Sequence, residues 1–175
     1  KLEILNSKSK LLAIVANMRG AEESSVFDEI TYLGFPFSVS ETFQQRNTNS
    51  SISESLGRVE QIQNLCIKTG KQLVIYISMG FGNPYGDVYS EEIVFNWVNK
   101  LAAMDIKIIS LADTVGVAEP KQVHSMTKYL IDLLPQTEIG VHLHSPPAIW
   151  KEKLEAAVKA GCKRFDGALK GIGGC

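Results

Sequence analysis

The sequence is poor in cysteine and in long apolar runs, and each shortage excludes a class of protein. Its three cysteines, Cys66, Cys162 and Cys175, are widely spaced and form no CxxC pair. This pattern is not that of a disulfide framework or of a thiolate zinc site, so we expect a reducing, cytoplasmic environment. No apolar stretch approaches the roughly 20 residues that a membrane helix needs, so we expect no membrane partner.

An excess of charge of one sign is also lacking. The 175 residues contain 18 Lys and Arg against 19 Asp and Glu, which gives a formal net charge of -1, and no long basic or acidic run is present. This balance does not indicate a nucleic-acid partner or a membrane surface. The hydrophobic fraction of 45% is ordinary for a globular protein, and the length is enough for one domain with a sizeable core.

Short β-branched runs alternate with helical patterns along the chain. Six strands are predicted: Leu11–Ala16, Ile30–Ser38, Gln72–Ser78, Lys107–Ala112, Glu138–His144 and Lys163–Ala168. Five helices are predicted between them: residues 21–28, a helix between Ser51 and Gly70, one that Ser90 opens, one with Pro120 in its first turn, and residues 147–160. This alternation is typical of a parallel sheet with helices outside it, either a doubly wound sheet or an eight-stranded barrel. In both folds, active sites lie at the carboxyl ends of the strands.

Two local patterns precede and open the clearest helix. Residues 40–49 are predicted to form a polar loop, in which Arg46 could hold a carboxylate or a phosphate, or could simply be solvated. Ser51 and Glu54 then fit a capping box, in which each side chain satisfies the other residue's exposed amide. Cys66, on the apolar side of this helix, is predicted to be a small core residue.

Two of the three histidines lie near the end of the fifth predicted strand. Side chains alternate between faces along a strand, so His142 and His144 point to one side while Leu143 points to the other. Two imidazoles about 7 Å apart along one face can share a metal ion. The alternative is a pair of histidines that make ordinary hydrogen bonds. The third histidine, His124, is predicted to lie on a helix surface.

Two further polar groups follow strand ends. Asp113 ends the fourth predicted strand, where a carboxylate can bind metal, act as a base, orient a ligand or cap the following turn. Residues 170–175 (KGIGGC) follow the last strand, and their glycines allow close approach to a ligand. Cys175 could be a general acid, a nucleophile or incidental. The segment is not a GxGxxG motif, so no dinucleotide site is predicted.

Five segments together resemble the hydroxymethylglutaryl-CoA lyases of the DRE-TIM metallolyase superfamily. They are SETFQQRNTNSSISES (40–55), YISMGFGNPYG (76–86), ISLADTVGV (109–117), VHLH (141–144) and GIGGC (171–175), in the family's order. The His-x-His pair is shared across the superfamily, whereas the glycine loop that ends in cysteine points to the lyases. Related synthases lack that cysteine.

The resemblance implies a TIM (β/α)8 barrel and a divalent cation, Mg²⁺ or Mn²⁺. It implies an acyl-CoA substrate, hydroxymethylglutaryl-CoA, which is cleaved to acetyl-CoA and acetoacetate. By the same resemblance, His142 and His144 ligate the metal. Cys175 becomes the general acid that protonates the acetyl-CoA enolate, and Asp113 becomes an active-site carboxylate near the substrate's hydroxyl group.

The resemblance also implies that residues 1–175 are a single partial catalytic domain that covers about the third to eighth strands. The family's Arg-Asp pair, second-strand glutamate and asparagine ligand have no match, so we expect further sequence on both sides and an inactive fragment. Residues 145–147 (SPP) follow the His-x-His pair, where the family typically has aspartate. The alternatives are a sibling aldolase or acyl-CoA condensing synthase, and a non-catalytic acyl-CoA-binding remnant. A homodimer is left open.

Overall fold

The computed structural model describes residues 8–168, and in this range the chain forms one parallel sheet. Its strands are β1 Leu11–Ile14, β2 Ile30–Ser38, β3 Gln72–Ser78, β4 Ile108–Asp113, β5 Glu138–Leu143 and β6 Arg164–Asp166. They lie in the sheet in the same order as in the sequence, and each neighbouring pair is parallel. A doubly wound sheet reverses its strand order at a switch point, whereas a barrel does not. The architecture is therefore part of a TIM barrel, as predicted.

The helices of the described range are α1 Met18–Ser25, α2 Glu41–Thr48, α3 Ile52–Thr69, α4 Glu91–Ala103, α5 Pro120–Leu133 and α6 Trp150–Lys159. Five of them correspond to the predicted helices, with ends that differ by a few residues. The capping box of α3 is confirmed, because the Ser51 hydroxyl accepts from the Glu54 amide and the Glu54 carboxylate accepts from the Ser51 amide. The helix ends at Gly70, whose φ of 67° is favourable for glycine.

The prediction of a polar loop over residues 40–49 is wrong, because α2 occupies most of it. Ser40 caps this helix by accepting from the Phe43 amide at 3.1 Å. Asp87, from a distant loop, accepts from the Ser40 hydroxyl at 2.5 Å and from the Thr42 amide at 2.9 Å. Only Gln44 of α2 is buried, so the helix has no apolar stripe from which it could be predicted.

The two faces of the sheet differ in composition. One face is apolar and fully buried, with the side chains of Leu33, Phe35, Phe37, Ile75, Ile77, Ile109 and Leu111. In the carboxyl half of the strands, the other face carries small or polar residues in register, namely Pro36, Tyr76, Ser110, Ala112, His142 and Asp166. Right-handed crossovers between consecutive parallel strands place all their helices on one side. The apolar face is therefore the helix face, and the polar face lines the barrel interior.

Cys66 lies in the core, as predicted, and Cys162 lies there too. Cys66 and Cys162 are 1% and 5% exposed. Burial raises the pKa of the Cys66 thiol to about 11, although Lys71 opposes the shift. Cys175 and the glycine segment before it lie outside the described residues. No helix of the described range is long and apolar enough to cross a membrane.

Candidate active site

His142 of β5 and His144, the residue that follows this strand, converge at the carboxyl end of the sheet. The Nε2 atoms of His142 and His144 are 3.1 Å apart, and their ring centroids are 5.1 Å apart. Both side chains are half-buried. The rings lie on the same side of the strand, as the alternation of side chains predicts, and they turn toward each other.

This separation is that of a hydrogen bond between the rings, which is the alternative that the sequence left open, and it also fits two ligands of a single metal ion. Metal–imidazole bonds are about 2.1 Å long, and two ligands at a right angle would then place their nitrogens about 3 Å apart. Burial lowers the pKa of His142, while Asp166 opposes this shift and His144 adds to it. The neutral imidazole that a metal requires is thereby favoured. Within residues 8–168 no group of three or more His, Cys, Asp or Glu side chains is arranged to hold a metal.

A carboxylate from β6 lies beside the histidines. Asp166 is paired in register with His142, and it accepts hydrogen bonds from the Tyr76 hydroxyl at 3.2 Å and the Ser110 hydroxyl at 3.1 Å. The Tyr76 ring packs edge-on against the His142 ring, with centroids 5.8 Å apart. Burial and the charge of Asp166 raise the pKa of Tyr76, so the phenol stays protonated and donates. The sequence reasoning missed Asp166, although it lies at a strand's carboxyl end.

Asp113 does not face the histidines. In the pairing of β4 with β5, Ala112 lies opposite His142 and Asp113 lies opposite Leu143, which places Asp113 on the helix face. Its carboxylate is fully buried, and Oδ1 accepts from the Ala118 amide at 3.1 Å. This contact orders the turn after the strand. It therefore matches the turn-capping role, one of the roles that the sequence allowed for Asp113. A catalytic role for Asp113 stays a prediction.

The other oxygen of Asp113 is held by a lysine that the sequence reasoning missed. Lys153 of α6 is fully buried, and its Nζ donates to Asp113 Oδ2 at 2.7 Å, to Gly116 O at 3.1 Å and to His144 O at 3.2 Å. An ammonium group has three N–H donors, so each of them has an acceptor. We call these four residues the Lys153 cluster. It joins α6 to the end of β4, to the loop after β4 and to the residue after β5.

An open cavity with basic walls lies at the rim of the same side of the barrel. It has a volume of about 610 Å³ and lies between the start of α1, the end of α2 and the first turns of α3. Arg19, Arg46 and Arg58 line it. The Arg46 guanidinium lies 4.8 Å from the centre of the Tyr85 ring, and Arg58 donates to Thr48 O at 3.3 Å. We call this the arginine cavity, and its charge suits an anionic group.

His124, which was predicted to be a surface residue, is exposed on α5. It is far in sequence from the histidine pair and belongs to a different element. The structure thus brings together the side chains of His142, His144, Tyr76, Ser110 and Asp166, and it places the Asp113 side chain on the other face of the sheet.

Comparisons with known proteins agree with one another. Residues 12–175 match the family model described as HMGL-like. A hydroxymethylglutaryl-CoA lyase of Bacillus subtilis is 32% identical over 166 residues, which are 93% of this chain and 54% of that protein. An (R)-citramalyl-CoA lyase of Chloroflexus aurantiacus is 28% identical over 97% of this chain and 53% of that protein.

A solved structure gives the same result for the fold. The HMG-CoA lyase from Acinetobacter baumannii, in complex with coenzyme A and 3-methylmalate, superimposes with a TM-score of 0.89 at 27% identity. The match covers 99% of this chain and 56% of that one. The chain therefore spans about half the length of the relatives that it matches.

Proposed function

Because the chain belongs to the HMGL-like family, we propose that the protein is a carbon–carbon lyase that cleaves hydroxymethylglutaryl-CoA to acetyl-CoA and acetoacetate. The observation that carries the proposal is the convergence of the His142 and His144 nitrogens, 3.1 Å apart, at the carboxyl end of a parallel barrel sheet. In TIM barrels, catalytic groups come from this end of the strands. The lyase relative from Bacillus subtilis supports the choice of substrate.

His142 and His144 would hold the metal, which we propose to be Mg²⁺ or Mn²⁺. These ions favour oxygen ligands but accept imidazoles, and the remaining ligands would come from groups outside residues 8–168 and from the substrate. When bound, such an ion polarises the substrate's oxygens and makes its hydroxyl group more acidic. The chain's own part is to present two imidazoles side by side at the end of β5. Asp166 and Tyr76 pack beside His142 and limit the positions that its ring can take.

The cleavage releases the enolate of acetyl-CoA, which must take up a proton. We assign this proton to the thiol of Cys175, which lies outside the described residues, on the basis of the family resemblance of its glycine segment. The substrate's hydroxyl proton passes to water, and the hydroxyl oxygen becomes the ketone oxygen of acetoacetate as the carbon–carbon bond breaks. The electrons of that bond become the enolate, and the Cys175 proton is transferred to the enolate carbon. The resulting thiolate takes up a proton from solvent after the product leaves.

The arginine cavity offers a place for the charged part of the acyl-CoA. A CoA ester carries several phosphate groups, and a cavity lined by Arg19, Arg46 and Arg58 on the carboxyl side of the barrel can pair with one of them. The coenzyme A bound to the Acinetobacter lyase supports an acyl-CoA ligand for this fold. Arg46 would thus hold a phosphate, one of the roles considered for it from sequence.

A second candidate substrate has its own support. The (R)-citramalyl-CoA lyase of Chloroflexus aurantiacus is almost as similar to this chain as the hydroxymethylglutaryl-CoA lyase. Both substrates are CoA esters cleaved at a carbon–carbon bond. A sibling aldolase or condensing synthase, or a non-catalytic acyl-CoA-binding remnant, is a further alternative. A cytoplasmic location and a homodimer stay predictions.

One assay tests the proposal and its rivals. Full-length protein is incubated with each CoA ester in Mn²⁺, and acetyl-CoA release is measured. We expect release from hydroxymethylglutaryl-CoA that stops after chelation and returns with Mn²⁺. Faster release from citramalyl-CoA would favour the second substrate. Binding of CoA esters without any turnover would contradict the lyase proposal and favour the non-catalytic alternative.

A further inference from the structure

We propose that Lys153 is a positioning residue that fixes His144 in the orientation needed for metal binding. Lys153 acts through the backbone carbonyl of His144, to which its ammonium donates at 3.2 Å. The inference rests on the proposed function, because His144 must hold the metal. It concerns a buried cation that none of the roles described above requires.

The contacts of Lys153 join three segments that meet at the histidines. Its ammonium binds the carboxylate of Asp113 at the end of β4, the carbonyl of Gly116 in the next loop, and the carbonyl of His144. Asp113 in turn accepts from the Ala118 amide, which ties the same loop a second time. A shift of His144 along its strand would therefore break a hydrogen bond to a fully buried charge, which is costly.

The sequence after His144 explains why an external donor is needed there. Pro146 and Pro147 have no backbone N–H, so they cannot donate to the neighbouring loop. The Ser145 hydroxyl is buried and has no hydrogen-bond partner in the described part of the chain. The carbonyl of His144 is thus one of the few groups through which this segment can be held. The Lys153 ammonium supplies the donor.

Stability alone is a weak explanation for the ion pair. A buried Lys–Asp pair often contributes no more to folding than a well-packed apolar pair of similar volume. Its directional hydrogen bonds do add a fixed geometry, which apolar side chains cannot provide. Both residues can be replaced by apolar ones without leaving a charge buried and unpaired. The effect on stability and the effect on geometry can therefore be measured separately.

The main test is the double variant Asp113→Leu with Lys153→Met in the full-length protein. We expect Mn²⁺ affinity, measured by electron paramagnetic resonance on folded protein, to fall about 10- to 100-fold, as is usual when groups that orient a metal ligand are removed. Hydrogen exchange should become faster at residues 114–118 and 144–149. Lys128→Met is the matched control, because it removes an exposed lysine paired with Asp132 on α5. The control should bind Mn²⁺ within about twofold of the parent.

Asp113→Asn is the second variant. It keeps the inference testable if the double variant does not fold. The amide keeps the shape of the pair and leaves the Lys153 bonds to both carbonyls in place, so Mn²⁺ affinity should stay within about threefold of the parent. A merely structural role would lower the melting temperature without changing the Mn²⁺ affinity of the folded protein. A loss of affinity in Asp113→Asn as large as in the double variant would overturn the role of the lysine.

The outcomes separate this inference from the proposed function. If the folded double variant binds Mn²⁺ as tightly as the parent, the positioning role is wrong and the lyase proposal stands. If the parent itself binds no Mn²⁺, the metal assignment of the proposed function is wrong, and the inference is overturned with it. The inference would be supported if the double variant binds Mn²⁺ more weakly and loses exchange protection locally, while Asp113→Asn and Lys128→Met bind Mn²⁺ like the parent.

Discussion

At the residue scale, the metal should depend on the imidazole of His144. His144→Ala removes one of the two converging nitrogens, so Mn²⁺ affinity should fall by more than about 100-fold, beyond the usual effect of a supporting residue. Acetyl-CoA release should fall with it. Titration with Mn²⁺ measures the affinity, and His124→Ala, an exposed residue of α5, is the control. Full activity after exhaustive chelation would contradict the metal assignment.

Cys175 is tested by its chemistry, since it lies outside the described residues. Cys175→Ser replaces a thiol with a much weaker acid, so turnover should fall by about 10²- to 10⁴-fold while Mn²⁺ affinity stays near that of the parent. Alkylation should reach Cys175 before the buried Cys66 and Cys162, and substrate should slow it. Turnover within about twofold of the parent, a barrier change of about 0.4 kcal/mol, would exclude the general-acid role.

The direction in which a side chain points could be predicted where it depends only on the residue's own strand. The two-residue period places His142 and His144 on one side without any knowledge of neighbouring strands. The face of Asp113 relative to His142 depends on the register between β4 and β5, which one sequence does not reveal. Lys153 had a local signal that was missed, because it lies on the buried side of α6 with Ala156 and Ala157.

At the element scale, the capping box of α3 should contribute measurably to stability. Ser51→Ala removes the acceptor for the Glu54 amide, and the free energy of unfolding should fall by about 1 kcal/mol. Urea denaturation measures the change. Ser53→Ala, at an exposed position of the same first turn, should change it by less than about 0.5 kcal/mol. Equal effects of the two substitutions would show that the cap is not what stabilises this end.

The hydrogen bonds at the start of α2 should make the free energy of unfolding depend on pH in the acid range. Hydrogen bonds from the Ser40 hydroxyl, the Thr42 amide and the Thr42 hydroxyl lower the pKa of Asp87. The folded pKa is then below the unfolded value of about 3.9, so the contribution is complete above that value. It is lost as the pH falls through the folded pKa. The destabilisation caused by Asp87→Asn should therefore be largest near neutral pH and shrink below about pH 4.

Urea denaturation at several pH values checks this dependence. Asp28→Asn, at an exposed position, is the control and should show no comparable trend. A destabilisation by Asp87→Asn that is independent of pH would contradict the role of the charge. The same contacts explain why α2 was missed, since it is held by polar caps from a segment about 45 residues away and not by an apolar stripe.

At the scale of the whole molecule, the sheet of the described residues has two edges. β1 and β6 each pair on one side only in the described sheet. Unpaired strand edges promote association, so a polypeptide limited to residues 1–175 should aggregate and be inactive. Size-exclusion chromatography and the acetyl-CoA assay check this. A monomeric, active polypeptide of this length would contradict the assignment of essential groups to sequence beyond these residues.

The alternation of strands and helices, and most of their bounds, could be predicted because each is a local pattern. Gln72–Ser78 and Ile30–Ser38 were predicted with the ends that the structure shows. The choice between a doubly wound sheet and a barrel depends on strand order, a long-range property that the periodicity does not contain. The family resemblance supplied that choice. The interior face, with its Tyr76–Asp166 contact, likewise forms only when distant strands pair.

The burial of Lys153 makes its amine a chemical reporter. Reagents that acylate amines need an accessible nitrogen, and the Lys153 nitrogen is fully buried and bound to three acceptors. Exposed lysines such as Lys128 are open to such reagents in the native protein. Labelling of Lys153 must therefore wait until α6 separates from the ends of β4 and β5. Its rate of modification, followed by mass spectrometry, would measure how often this part of the barrel opens.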